Sequence, residues 1–441
     1  MPSVVTTGVI RRGFQACALA VVLCFTAQLR AESNPPPEIP VDNWLDGPDR
    51  QTFPWHVEVG QSALTFQQRR AIQTKVTIRV RDLLKNKVSL TDLHLVVKVA
   101  GEDGRWFPGQ SYSHFDPPKG LGSGDQIKSF SGLYLRQGTY KVAVMAYDTS
   151  RHRGNLWRGS IQVDPLKEDP LPGMERDLPR VEFLEAEKLT PYGRTSIVTF
   201  DPWALGQGDL LLPIKNVRPV QVDIVTNVSL SAATDSPSHE APDWAYQWHS
   251  AALLQISNVL SQLDLNAGCI RVSTLDIRRQ KIFVDREDAR NLDWSRLRDE
   301  LSNLDRHKID IGTLAGEKHE PAFLAHFLEK LSSGPNSCSQ GAGNALHVLV
   351  LVSDAFIFPN GTQMSTVQPE LVSPGLTYHL RVVPVAGGNW DEIQRVVKPL
   401  HPAKFEFYDA SHFRKTLAQL MADIERASSR IAPSGNGLVA H

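Results

Sequence analysis

The stretch "ALHVLVLVSD", Ala345–Asp354, decides how the fold is read. Apolar residues fill nearly every position, so the two-residue alternation of a half-exposed strand is missing. A single histidine, His347, interrupts the run, and turn-forming residues bound it. Such a segment predicts a central parallel strand covered on both faces, with His347 reading as a core histidine rather than a ligand.

Working outward, the segments on either side alternate in type. "VQVDIVTN" (Val220–Asn227), "CIRVSTLD" (Cys269–Asp276) and "KIFVD" (Lys281–Asp285) read as strands. "DWAYQWHSAALLQISNVLSQL" reads as a helix, with Ala252, Ile256, Val259, Leu260 and Leu263 near helical spacing. "PAFLAHFLEKL", "WDEIQRVVKPL" and "HFRKTLAQLMADIERA" continue the helices, with "TYHLRVVPV" and "KFEFYD" as strands between them. Strand and helix in turn predict a doubly wound, mostly parallel α/β sheet over residues 217–429.

The part before it reads differently. "KVTIRVRD" places Val76, Ile78 and Val80 on one face, and "LHLVVKVAG" does the same with Leu93, Leu95, Val97 and Val99. Short alternating strands separated by Gly, Pro and Asp predict an antiparallel, immunoglobulin-like β-sandwich over residues 41–163. Residues 164–216 read as a linker with unassigned strands, and 430–441 as a disordered tail. The first 31 residues pair Arg11 and Arg12 with "GFQACALAVVLCFTA" and small residues at Ala27 and Ala31, the pattern of a secretory signal. Residues 32–40 are a proline-rich leader. Secretion or a periplasmic location is therefore expected, with no integral membrane segment after cleavage.

The chain has 441 residues, 41% hydrophobic and 22% charged, with a formal net charge of −1. That balance argues against nucleic-acid binding, which would show as a basic domain. No G-x-S-x-G elbow, zincin pair or phosphate loop is present, so no enzyme is expected; a hydrolase is the remote alternative. After signal removal two cysteines remain, Cys269 and Cys338. In an oxidising compartment they are candidates for a disulfide, and two separate buried thiols are the other reading.

In an open α/β sheet, ligands gather at the C-terminal ends of the strands. Asn227, Ser229 and Ser231 follow the first strand, Thr313 precedes a helix, and Asp354 ends the central run. Hydroxyls with a carboxylate make an all-oxygen set of the kind that holds Mg²⁺ or Mn²⁺. Ser and Asn at a strand end are also common turn residues that bond their own backbone.

The order of a strand, an x-x-S-x-S segment, a distant Thr and a hydrophobic strand ending in Asp resembles the metal-ion-dependent adhesion site of von Willebrand factor type A domains. The layout is also similar to the secreted von Willebrand-related proteins of acidobacteria. The resemblance implies hydroxyl ligands from Ser229, Ser231 and Thr313, a water-mediated contact from Asp354, and a carboxylate from a partner protein in the open position. This chain departs at Asn227, where the family has Asp. One unit charge at ~4 Å from a divalent ion is an interaction of several kcal/mol even at an effective dielectric of ~20. The resemblance therefore implies a degenerate site with weak or absent metal binding. Asp235, Glu317 and Glu240 lie near these loops in sequence and are candidates to compensate. The strand order it implies also separates Cys269 from the strand after Cys338 by ~10 Å, so the "NSCSQ" loop would have to reach across for a bond to form. The function expected is an exported protein-binding module; the alternative is a metal-independent structural or envelope scaffold.

Overall fold

The computed structural model describes residues 39–114, 121–184, 190–192, 195–198, 203–229, 243–304, 319–333, 345–358, 362–368, 375–383 and 391–430. The expected signal, most of the leader and nearly all of the tail lie outside these residues, as do Ser231, Thr313, Cys338, Asp235, Glu240 and Glu317. The chain divides into two compact units, Met1–Pro48 and Asp49–His441. In the first, the described residues hold one short helix, α1 (Val41–Leu45).

The second unit opens with β1 (His56–Val59), β2 (Ala63–Leu64), β3 (Arg70–Arg79), helix α2 (Val80–Lys85), β4 (Leu93–Gly101), β5 (Ser111–His114), β6 (Gln126–Leu135), β7 (Gly138–Asp148) and β8 (Arg153–Val163). Strands β5-β4-β7-β8 form one antiparallel sheet. Alternation in β3 turns Ile72, Val76 and Ile78 inward, where they meet Leu95, Val97 and Val99 of β4 and Val142 and Val144 of β7. The two sheets thus share one apolar core between them.

The segment read as a linker with unassigned strands, 164–216, contributes four strands, two of them within the possible strands "RVEFLEA" and "GDLLLPI". It holds β9 (Val181–Phe183), β10 (Thr190–Tyr192), β11 (Thr195–Val198) and β12 (Leu212–Ile214). β9 and β11 both pair with β6, which enlarges the first sheet to β1-β3-β6-β11-β10 with β2 and β9 at its sides. β12 pairs in parallel with β14 (Leu263–Leu265) in a sheet of two strands.

The remaining elements are β13 (Val220–Asn227), α3 (Asp243–Ser261), β15 (Gly268–Asp276), β16 (Lys281–Asp288), α4 (Trp294–Ser302), α5 (Glu320–Ser333), β17 (Leu346–Asp354), β18 (Gly375–Val382), α6 (Ile393–Val397), β19 (Ala403–Phe407) and α7 (Ala410–Ser429). Their sheet runs β16-β15-β13-β17-β18-β19, with β16 antiparallel at one edge and the other five strands parallel. Val220, Val222 and Ile224 of β13 pack on Ile256 and Leu260 of α3 and on Phe413 and Leu417 of α7. Val225, Leu349 and Leu351 turn the other way, onto Leu324 and Leu328 of α5 and Val396 of α6.

The expected fold class, a doubly wound and mostly parallel α/β sheet behind an immunoglobulin-like sandwich, is corrected by this inventory. Among the described residues strand outweighs helix, 39% against 24%, and antiparallel pairings predominate across the four sheets. Parallel pairing concentrates in one sheet. The Gly-, Pro- and Asp-dense first half favours hairpins, because antiparallel neighbours need only short turns. The expectation of a doubly wound parallel sheet as the leading architecture gave helix and parallel pairing too much weight.

Candidate recognition site at the end of the central sheet

The parallel register brings three strand ends together. Asn227 ends β13 opposite Leu275 of β15, and Thr226 lies opposite Val352 of β17. Asn227, Asp276 and Asp354 therefore share one end of three adjacent strands. All three are buried, as is Ser229.

The side chains at this end bond mostly to one another. Asn227 Oδ1 accepts from Ser229 N at 3.1 Å, Ser229 Oγ at 2.6 Å and Ile277 N at 3.3 Å. Two of these donors are backbone N–H groups, which fixes the orientation of the amide. Ser229 Oγ also lies 3.0 Å from Asp276 Oδ1 and accepts from Arg278 N at 3.2 Å. Asp276 in turn accepts from Arg279 N at 3.0 Å and from the Arg279 guanidinium at 2.7 Å. On β17, Asp354 Oδ1 accepts from Ala355 N at 2.5 Å.

Asp276 and Arg279 are the residues that sequence reasoning missed. The signal was present in "TLDIRRQK": a carboxylate ending a strand, followed by a tight turn that carries arginines. Its position beside Asn227 follows only from the pairing of β13 with β15. Of the expected set, Asn227, Ser229 and Asp354 come to one sheet end; Ser231 and Thr313 fall outside the described residues.

Among the described residues, the polar groups at this end are largely committed to one another. The Asn227 carbonyl oxygen already serves three donors, and its buried Nδ2 finds no hydrogen-bond partner among the described residues. The carboxylate nearest the pair, Asp276, is countered by a guanidinium. A hard cation needs several oxygen ligands and their charge. Beside these residues, a crevice lined by Trp203, Val228, Ser250, Asp276 and Arg279 has a volume of about 10 Å³, the scale of a single water.

Two further polar clusters lie on the sheet. Lower on β13, Asp223 receives a two-pronged contact from Arg271 at 2.6 and 2.8 Å and a hydrogen bond from His347 at 2.5 Å. Burial opposes the Asp223 charge, but His347 and Arg271 outweigh it and hold its pKa below the ordinary value. Toward the other edge, Ser353, His379 and Asp391 meet. Ser353 Oγ is 2.8 Å from His379 Nε2, and Asp391 reaches that same nitrogen at 3.8 Å. A nucleophilic triad needs the acid on the opposite ring nitrogen, and here Ser353 and Asp391 face the same one. Desolvation depresses the His379 pKa to about 3, with Lys404 and Arg381 adding to it. Cys269 is disulfide-bonded.

No family model matches the chain, and no curated protein matches it. Among solved structures, an ApaA protein from Bordetella pertussis aligns with 26% of this chain and 97% of its own, at 12% identity and a TM-score of 0.15. A superposition that poor carries no argument about fold or function. Among the described residues, no helix is long and apolar enough to cross a membrane.

Proposed function

We propose that this chain is an exported protein-binding module that uses the C-terminal end of its six-stranded sheet as a recognition surface, without a bound metal. The observation that carries this reading is the closed network of Asn227, Ser229, Asp276 and Arg279. Its members bond one another at the strand end where the resemblance would put a metal, which supports a metal-independent surface. The resemblance to von Willebrand factor type A domains supports the choice of this end, and the signal-like first 31 residues support export to the periplasm or beyond. The small volume of the neighbouring crevice favours a macromolecular partner over a small ligand, because ligand pockets usually enclose ~300 Å³ or more.

Capture of partners from the organism's envelope fraction tests this reading. The mature chain is run with and without chelator, beside an Arg278→Glu variant that reverses a charge next to the network. The expected result is a set of partners retained in chelator and lost with the variant. Loss of the set in chelator, or its full retention by the variant, would overturn the proposal.

A further inference from the structure

Remote from the sheet end, a groove of about 480 Å³ opens between the turn joining β6 to β7, the linker after β8, and helix α7. Four guanidinium groups line it, those of Arg70, Arg136, Arg176 and Arg414, against the carboxylates of Asp169 and Glu175. Positive charge is thus in excess by two.

The acids do not use up the arginines. Asp169 is fully engaged by Arg414, at 2.6 and 2.8 Å, and by Leu171 N at 3.0 Å. Glu175 sits 3.5 Å from Arg70 Nη2 and 3.7 Å from Arg414 Nη1, which is attraction without good hydrogen bonds. Arg70 also donates to Asp164 O, but among the described residues Arg70 Nε and Arg414 Nη1 find no hydrogen-bond partner although their side chains are only 8% and 4% exposed. The Arg136 side chain gives a hydrogen bond to Leu178 O at 3.3 Å. Arg176 is exposed and its guanidinium lies 3.8 Å from Asp177.

A rim of two arginines with spare donors, backed by two buried ones, is an arrangement that holds oxyanions. The planar guanidinium fork matches the two oxygens of a carboxylate or phosphate. Backing charge in a partly desolvated wall strengthens that attraction. The volume suits a small molecule. Gly173, at φ +80°, lets the linker turn at the groove wall, and a side chain there would meet nothing within 4 Å. We infer that this groove is a binding site for a small oxyanion ligand, gripped by Arg136 and Arg176, with Arg70 and Arg414 supplying the field behind them.

Calorimetry of the mature chain at low ionic strength tests this with inorganic phosphate and, separately, succinate, using sodium chloride at matched ionic strength as the control. Saturable binding of at least one probe is expected, with affinity at least tenfold weaker in Arg136→Gln/Arg176→Gln. Comparison of the two probes identifies which oxyanion is preferred. Arg176→Glu, on an exposed side chain, gives a second variant that leaves the fold intact, and it should weaken binding in the same direction. Absence of saturable binding for both probes, or affinity unchanged in these variants, would overturn the inference.

Discussion

At the scale of single residues, the account rests on groups that sequence composition alone would not single out. Ser229 is the hinge of the strand-end network, touching Asn227, Asp276 and the backbone of Arg278. Ser229→Ala removes that hydroxyl while leaving its buried partners in place. A loss of about 1–3 kcal/mol is expected from unsatisfied buried polar groups, measurable by urea unfolding. Arg271→Ala is a harsher change, because it leaves the 2% exposed Asp223 carboxylate facing His347 and Gln221 alone. Breaking a buried pair from one side costs about 3–5 kcal/mol. The histidine at position 379 gives a pH signature. Its folded pKa, near 3, lies below the ordinary value of 6.5, so the unfolded chain binds its proton first as pH falls. Stability from this group is complete above about pH 6.5 and is lost progressively toward pH 3, at up to about 1.4 kcal/mol per pH unit. Asp223, whose pKa is depressed, adds in the same direction below about pH 4. Asp391, whose pKa is raised by burial, works against it above that value. Urea melts of His379→Gln between pH 8 and 4 should show a flatter slope than the wild type; an unchanged slope would remove His379 from this explanation.

At the scale of elements, legibility tracks how local the signal is. The run at Ala345–Asp354 is strand β17 from Leu346 onward, buried at every position but His347, because an uninterrupted apolar run has few other places to go. The strands at 220–227 and 269–276 were equally plain. Asp276 was not recognised as part of the strand end, since its proximity to Asn227 is created by β13–β15 pairing across 49 positions of sequence, roughly, and no local pattern encodes that. β10 and β11 escaped assignment, and the partner of the strand expected at "RVEFLEA" could not be read, for a related reason: these strands are three or four residues long and take their stability from β6 or one another rather than from their own periodicity. One position reports on the pairing directly. Gly268 opens β15 at φ +134°, and a Cβ there would sit 1.8 Å from Val220 O. Gly268→Val should therefore force β13 and β15 apart at their N-terminal ends. The expected readout is a lowered melting temperature with faster amide exchange in β15; unchanged exchange would mean that the contact relaxes elsewhere.

At the scale of the second unit, the strand-rich first half and the parallel sheet are tied together by charge and aromatic contacts as well as by chain connectivity. Arg414 of α7 grips Asp169 of the linker, Gln68 Nε2 donates to Ala410 O of α7 at 3.2 Å, and Phe66 lies 6.1 and 6.4 Å from the rings of Phe407 and Phe413. These contacts predict one cooperative unfolding transition for residues 49–441 in the wild type. Arg414→Ala should shift the protein toward two separate transitions in calorimetry, and a single unshifted transition in that variant would show that the aromatic contacts suffice. At the end of the six-stranded sheet, Asn227 Oδ1, Ser229 Oγ and Asp276 are engaged by one another and by Arg279 among the described residues, and the proposal is that this end works without a divalent ion. Isothermal titration of the intact mature chain with Mn²⁺, after exhaustive treatment with chelator and its removal, tests that claim most directly. The account predicts no saturable heat from the wild type. Saturable binding that is abolished by Ser229→Ala would contradict it.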